Sequence, residues 1–340
     1  PVVFETASVN HLRATFDSTS NKVVIVYSDT GNSSYGTAIV GTVSGTSISF
    51  GTAVVYNSSG ISDSGVTFDS TNNKVVIAYQ HSTNSNYGTA IVGTVSGTAI
   101  SFGTDVVFET ASVASVAATF DSANNKVVIA YKDEGNSSYG TAIIGTVSGT
   151  AISFGTAAVF EAASTTYITA TFDSNANKVA IAYKDNGTTY GTAIVGTVSG
   201  TSISFGTAVV FETASVNYLT ATFDSSSNRV VISYTDAGNS SHGTSIAGTI
   251  SGTSISFGTP VVFEATSTTY ITATFDSVNN KTVTAYQNSA TYGSAVVSNI
   301  PNLLTIGTDY FVQSDGTLST TSSTVPAGRA LSTTSILLEG

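Results

Sequence analysis

The sequence has no cysteine, no methionine and no tryptophan. Without cysteine neither disulfides nor thiolate metal ligands exist, so packing and hydrogen bonds must hold any core, and the redox compartment leaves no mark on the chain. Charge is scarce as well: Asp, Glu, Lys and Arg make up 9% of the 340 residues, against about a quarter in ordinary domains. Lys and Arg number 10 against 21 Asp plus Glu, a net charge of -11, which leaves no basic stripe for phosphates and excludes nucleic acid as an expected partner. No apolar run reaches the ~18 residues of a membrane helix, so membrane insertion is not expected, and no segment has the layout of a signal peptide. The three histidines, His11, His81 and His242, lie far apart in the sequence, so spacing suggests neither a His-rich metal site nor a Ser-His-Asp set.

Serine, threonine, asparagine and glycine stand where charge is missing. With 41% hydrophobic residues the chain can bury a large core beneath a neutral polar surface of the kind that suits β-rich extracellular proteins. Its organising feature is a repeat. Phe-Asp-Ser recurs at Phe16, Phe68, Phe120, Phe172, Phe223 and Phe275, spaced by 52, 52, 52, 51 and 52 residues. The chain opens on Pro1 in mid-repeat, in the phase of Pro260, and lacks methionine, so a fragment of a longer or processed protein is expected.

The fifth copy shows the pattern of all. Tyr218 to Phe223 alternates apolar and polar residues, Arg229 to Tyr234 is almost continuously apolar, Gly243 to Ile250 is built of small residues, and Ile255 and Phe257 alternate with serines. These runs predict four strands joined by the turns Asp224-Asn228 and Ser251-Gly252 and by the loop 236–241. Four antiparallel strands in about 52 residues match one blade of a β-propeller. The expected fold is therefore all-β: a six-bladed β-propeller over residues 1–307, with a short β-rich extension over 308–340 for docking or oligomerisation. A parallel β-helix, whose coils are shorter, is the alternative architecture.

Asp17, Asp69, Asp121, Asp173, Asp224 and Asp276 recur in every copy, followed by Asn and then Lys or Arg. They are read as caps of the first turn, facing the base across one hairpin, rather than as catalytic or calcium carboxylates. Tyr27, Tyr79, Tyr131, Tyr183, Tyr234 and Tyr286 close the second strand and are read as core aromatics with a rim hydroxyl. Glu5, Glu109, Glu161, Glu212 and Glu264, with Asp29, Asp133, Asp185 and Asp236 beside the loops, are expected to share one acidic face. Solvated charge is one reading of that face; a divalent cation such as calcium held by Asp29, Asp133, Asp185 and Asp236 is the other, although no loop has EF-hand spacing. No other cofactor is implied.

A ring of equal blades has no unique site, so function is sought where copies differ. Five residues before the signature Phe stand His11, Asp63, Ser115, Tyr167, Tyr218 and Tyr270; three before it stand Arg13, Gly65, Ala117, Thr169, Thr220 and Thr272. In a closed ring, blades four, five, six and one are consecutive. Tyr167, Tyr218, Tyr270, His11 and Arg13, with Asp63 beside them, would form an arc at the channel mouth suited to a sugar or another mixed polar ligand. Side chains that merely plug the channel are the competing reading.

The segment Ser251-Gly-Thr-Ser-Ile-Ser-Phe-Gly-Thr-Pro-Val-Val262 resembles the Asp-box hairpins of sialidase-like propellers, without the box's aspartate, whose place falls near Thr253 or Ser254. The resemblance implies the architecture and not the activity: a sialidase needs three arginines around the substrate carboxylate, and this chain has only Arg13, Arg229 and Arg329. The wording of the repeat resembles repeats of marine bacteriophage tail-fibre and virion surface proteins. Leu304–Ser319 and Val325–Glu339 likewise resemble the β elements that end many phage tail proteins. That likeness implies a non-enzymatic receptor-binding module on the virion surface, recognising a host glycan or protein, with other virion proteins as partners and a homotrimer as its assembly. A spacer or decoration protein is one alternative. An extracellular glycan-active enzyme or a bacterial surface adhesin or lectin is another, since two rim carboxylates about 5 Å apart would suffice for glycoside cleavage.

Overall fold

Each signature Asp ends a strand, and the Lys or Arg that follows the Asn begins the next. In the computed structural model, Oδ1 of each signature Asp accepts the backbone N–H groups two and three residues on, as Asp121 does from Ala123 and Asn124 at 3.0 and 2.9 Å. The same cap holds at Asp17, Asp69, Asp173, Asp224 and Asp276. The turn closes through a left-handed residue, and Asn21, Asn73, Asn125, Asn177, Asn228 and Asn280 supply it at φ 52–55°, which Asn tolerates better than most side chains. Asp and base do face each other in register, as in Asp121 and Lys126; the cap itself is made of amides.

The structure describes residues 1–298, 309–312, 318–319, 326–330 and 336–337. Blade 1 is β1 (Val9–Asp17), β2 (Lys22–Asp29), β3 (Tyr35–Ser44) and β4 (Ser47–Phe50), antiparallel in that order, and β5 (Val54–Asn57) pairs with the free half of β3. Blade 2 is β6 (Ile61–Asp69), β7 (Lys74–His81), β8 (Tyr87–Ser96) and β9 (Ala99–Phe102). Blade 3 follows as β10 (Val106–Asp121), β11 (Lys126–Asp133), β12 (Tyr139–Ser148) and β13 (Ala151–Phe154). Blade 4 is β14 (Ala158–Asp173), β15 (Lys178–Asp185), β16 (Tyr190–Ser199) and β17 (Ser202–Phe205). Blade 5 is β18 (Val209–Asp224), β19 (Arg229–Asp236), β20 (His242–Ser251) and β21 (Ser254–Phe257). Next come β22 (Val261–Ser267) and blade 6, β23 (Thr269–Asp276), β24 (Lys281–Gln287) and β25 (Gly293–Ser298).

The expectation that the first strand of a copy begins near Tyr218 is corrected. That strand starts at Val209: its first part pairs with β16 of blade 4 and its second with β19 of blade 5. One strand thus completes the outer edge of one blade and forms the innermost strand of the next. Local alternation marks both parts as extended without saying which neighbour each will pair with.

Two glycine positions make the blades fit. A Cβ on Gly155 would stand 1.9 Å from the carbonyl oxygen of Thr201, because the hairpin turn of blade 4 rests on the backbone that leaves blade 3. A Cβ on Gly140 would stand 2.4 Å from the ring of Phe160, which occupies that space. Between blades, apolar faces meet: Val76, Ala78, Ala90 and Val92 pack against Val127, Ile129, Tyr131 and Ile143. Each such buried Val or Ile contributes about 1.5–3 kcal/mol.

The innermost strands lie side by side from β1 to β6, β10, β14, β18 and β23, but β23 and β1 do not. Among the described residues the six sheets therefore form an arc, and its two end faces are less covered than the rest. No α-helix occurs among the described residues, only 3-10 turns at Thr30–Asn32 and Ala237–Asn239, and no helix is long and apolar enough to cross a membrane.

The chain divides into two compact units, Pro1–Ser298 and Asn299–Gly340. The expected boundary at 307/308 falls on residues outside those described. Within the second unit β26 (Asp309–Val312), β27 (Leu318–Ser319), β28 (Pro326–Ala330) and β29 (Ile336–Leu337) form one sheet in the order β27-β26-β28-β29.

Candidate functional site

The variable position lies on a built irregularity. In every innermost strand the register with the second strand skips at the same place, between Asn10 and Arg13, Ile61 and Ser64, Ala114 and Ala117, Thr166 and Thr169, Asn217 and Thr220, and Thr269 and Thr272. Such bulges re-aim a side chain. At the skip His11, Ser115, Tyr167, Tyr218 and Tyr270 adopt left-handed backbone, φ 49–52°. For a bulky side chain that conformation is an outlier, with a cost of order 1–3 kcal/mol. The Asp-capped turns place Asn in this conformation; the bulges place tyrosine, histidine and, in blade 3, serine there.

The three tyrosines form a ladder across blades 4 to 6. The ring of Tyr218 lies 5.5 Å from that of Tyr167 and 5.1 Å from that of Tyr270, both pairs tilted. Tyr270 is exposed while Tyr167 and Tyr218 are half-buried. Burial, then the neighbouring Tyr218 and Tyr270 hydroxyls, push the Tyr167 hydroxyl above its usual pKa. The ladder is tied from behind: Oγ1 of Thr169 accepts the Ala221 N–H at 3.1 Å and Oγ1 of Thr220 accepts the Ala273 N–H at 3.3 Å.

His11, Arg13 and Asp63 form a second group across blades 1 and 2. Nη2 of Arg13 lies 4.0 Å from Oδ1 of Asp63. Asp63 also accepts the N–H of Ser64 at 2.8 Å and of Val116 at 3.2 Å, and the Ser64 hydroxyl donates to the His11 carbonyl at 3.0 Å. Burial lowers the His11 pKa below the usual histidine range, with Asp63 opposing and Arg13 adding to the shift. The structure thus brings together Tyr167, Tyr218 and Tyr270, and separately His11, Arg13 and Asp63. It does not bring Tyr270 against His11, because β23 does not run beside β1.

The acidic face has a structural use that the sequence reading missed. Each rim glutamate accepts a hydrogen bond from a tyrosine hydroxyl 22 residues on: Tyr131 to Glu109 at 3.1 Å, Tyr183 to Glu161 at 2.8 Å, Tyr234 to Glu212 at 3.2 Å and Tyr286 to Glu264 at 3.0 Å. Tyr27 reaches Glu5 at 3.5 Å. In blade 2, where Asn57 replaces the glutamate, Asn57 donates to the Tyr79 hydroxyl at 3.4 Å and that hydroxyl donates to Asp105 at 3.2 Å. The constant spacing of 22 was the available signal. Burial first, then Glu5, raises the Tyr27 pKa to about 12, and burial raises Tyr79, Tyr131, Tyr183 and Tyr234 as well.

The four candidate metal carboxylates are likewise used within their own loops. Asp29 accepts the Asn32 N–H, Asp133 those of Gly135 and Asn136, Asp185 that of Gly187, and Asp236 those of Gly238 and Asn239. Among the described residues no three His, Asp or Glu side chains group as metal ligands would. Arg13 sits opposite Val26 near the loop end of its hairpin, whereas Arg229 sits opposite Asp224 at the turn end, so these two arginines do not share a site.

No family model matches the chain, and no curated relative does. Solved structures do. AofleA from Arthrobotrys oligospora aligns over 91% of this chain and 85% of its own, with TM-score 0.58 and 8% identity. The SapL1 lectin, solved with α-methyl fucoside, aligns over 86% and 94%, with TM-score 0.53 and 12% identity. Trypanosoma rangeli sialidase aligns over 86% of this chain but 54% of its own, with TM-score 0.51 and 12% identity. The fold is a β-propeller. At such identities the likeness extends to the fold, and the propeller's inner strands are where the two side-chain groups stand.

Proposed function

We propose that the chain is a non-enzymatic glycan-binding module whose site is the bulge arc, with Tyr167, Tyr218 and Tyr270 as the stacking platform and His11, Arg13 and Asp63 as polar contacts. The observation that carries this reading is the ladder itself: three tyrosines held at left-handed positions that Asn or Gly would occupy at lower cost. A tyrosine offers a flat apolar face to sugar C–H groups and a hydroxyl to their oxygens. The SapL1 neighbour, a lectin bound to a fucoside, supports the class of ligand. The sialidase neighbour does not bring its chemistry with it, since Arg13 and Arg229 stand apart.

The finer reading is a receptor-binding module of a phage virion, displayed in several copies, a homotrimer among them, so that weak sites act by avidity. It rests on the resemblance of the repeat and of the C-terminal β elements to phage tail proteins. Screening the purified protein on a glycan array, alongside a variant with Tyr167, Tyr218 and Tyr270 all changed to Ser, tests the site. Glycan hits that vanish in the variant are expected. Hits that survive it would remove the ladder as the site, and absence of any host-surface ligand would favour the spacer role.

A further inference from the structure

We propose that Asn186 and Gly187 form a self-modifying site: the Gly187 backbone nitrogen closes on the Asn186 side-chain amide, and water opens the resulting ring to leave aspartate or isoaspartate in the loop between β15 and β16. Asn186-Gly187 is the one Asn-Gly pair in the sequence. Glycine has no Cβ to shield the attacking nitrogen, and both residues are exposed to the water that the second step needs.

The pair exists because this loop is one residue shorter than its counterparts. Blades 1, 3 and 5 read Asp29-Thr-Gly-Asn-Ser-Ser34, Asp133-Glu-Gly-Asn-Ser-Ser138 and Asp236-Ala-Gly-Asn-Ser-Ser241, whereas blade 4 reads Asp185-Asn-Gly-Thr-Thr189. In the longer loops the asparagine follows the glycine and precedes a serine. In blade 4 it comes before the glycine.

The groups around the amide suit the step. Oδ1 of Asp185 accepts the Gly187 N–H at 2.8 Å, within the reach of a general base. The Thr166 hydroxyl donates to Oδ1 of Asn186 at 2.9 Å, where negative charge develops as the nitrogen adds. Nδ2, the leaving nitrogen, donates to the Ser164 hydroxyl at 3.2 Å, and the Asn186 N–H donates to the Ser164 carbonyl at 2.8 Å, so backbone and side chain are both held. The Gly187 N–Cγ bond forms and the Cγ–Nδ2 bond breaks. The Gly187 proton passes through Asp185 to the departing ammonia, and one water is consumed when the succinimide opens. No oxidant or reductant takes part.

The same place in blade 3 shows what the product does. Glu134 occupies the position of Asn186, accepts the Ser112 hydroxyl at 2.7 Å and accepts from Lys132 Nζ at 3.2 Å. Lys184 occupies the position of Lys132 but donates to Oδ1 of Asn217 at 3.2 Å. A carboxylate at 186 therefore offers Lys184 the partner that Lys132 has and draws it from Asn217. Thr166 and Asn217 directly precede Tyr167 and Tyr218, so the change of charge falls beside the ladder, and it depends on no ligand.

The test follows the purified full chain at neutral pH and physiological temperature, folded and in urea, by mass spectrometry and fragmentation of the tryptic peptide Asp185–Arg229. Conversion at 186 is expected to run faster in the folded chain than in the unfolded one. It should slow in Asp185→Ser, which keeps an acceptor for the amide but no base, and in Thr166→Val. It should be lost in Gly187→Ala, whose Cβ would stand 3.1 Å from Oδ1 of Asp185. An Asn186 that stays intact in the folded chain, that converts no faster there than in urea, or whose rate ignores both Asp185→Ser and Thr166→Val would overturn the inference. The Nζ resonance of Lys184 is expected to move in Asn186→Asp, and an unmoved signal would contradict the pairing.

Discussion

The hydroxyl of Tyr183 donates to Oε2 of Glu161 at 2.8 Å, joining the strand that completes blade 3 to the heart of blade 4. Since Tyr183 is buried, removing the acceptor should cost more than removing the donor. Glu161→Ala leaves the phenol unsatisfied and is expected to cost about 1–3 kcal/mol, while Tyr183→Phe is expected to cost about 0.5–1.5 kcal/mol. Urea unfolding of both variants checks the order.

The same tyrosines set an alkaline limit. Burial raises the pKa of Tyr27, Tyr79, Tyr131, Tyr183 and Tyr234 in the folded chain. The unfolded chain therefore releases protons first, and the stability these groups confer is intact below about pH 10 and lost above it. At the acid end, the Tyr286 hydrogen bond lowers the Glu264 pKa, and the Ala7 amide lowers that of Glu5. That contribution is present above the ordinary glutamate value of 4.5 and fades as pH falls below it. Melting curves from pH 3 to 11 should show a plateau with both shoulders; a flat profile above pH 10 would contradict the buried-phenol assignment.

Changing Tyr270 to Gly relieves a φ of 51° at an exposed position. The expected outcome is a Tm equal to or above that of the parent, with glycan binding weakened. A loss of stability above about 1 kcal/mol would mean that the tyrosine is there for packing.

Substitutions at glycine should separate close approach from turn geometry. Gly155→Ala forces a Cβ toward the Thr201 carbonyl and is expected to cost about 1–3 kcal/mol or more. Gly149→Asn, at φ 61° in open space, should stay within about 1 kcal/mol of the parent. Differential scanning calorimetry reads both.

The repeat, the strands, the Asp caps and the buried tyrosines were legible because each depends on residues close in sequence. The double duty of Val209–Asp224 was not, since alternation fixes a strand's faces but not its partners. The left-handed bulge was hidden as well: Tyr218 at φ 49° defies the preference that would have announced it. Yet the choice of Tyr167, Tyr218 and Tyr270 came from comparing copies, and their rings do lie next to one another. The arc through His11 did not appear in the described residues, because β23 does not lie beside β1.

At the proposed site a glycan lies face-on against the tyrosine ladder. With ring-labelled tyrosine, NMR titration of an array-selected glycan should shift the ring signals of Tyr167, Tyr218 and Tyr270 and leave those of buried Tyr131 and Tyr183 in place. Saturable binding that leaves the three ladder rings unmoved would contradict it.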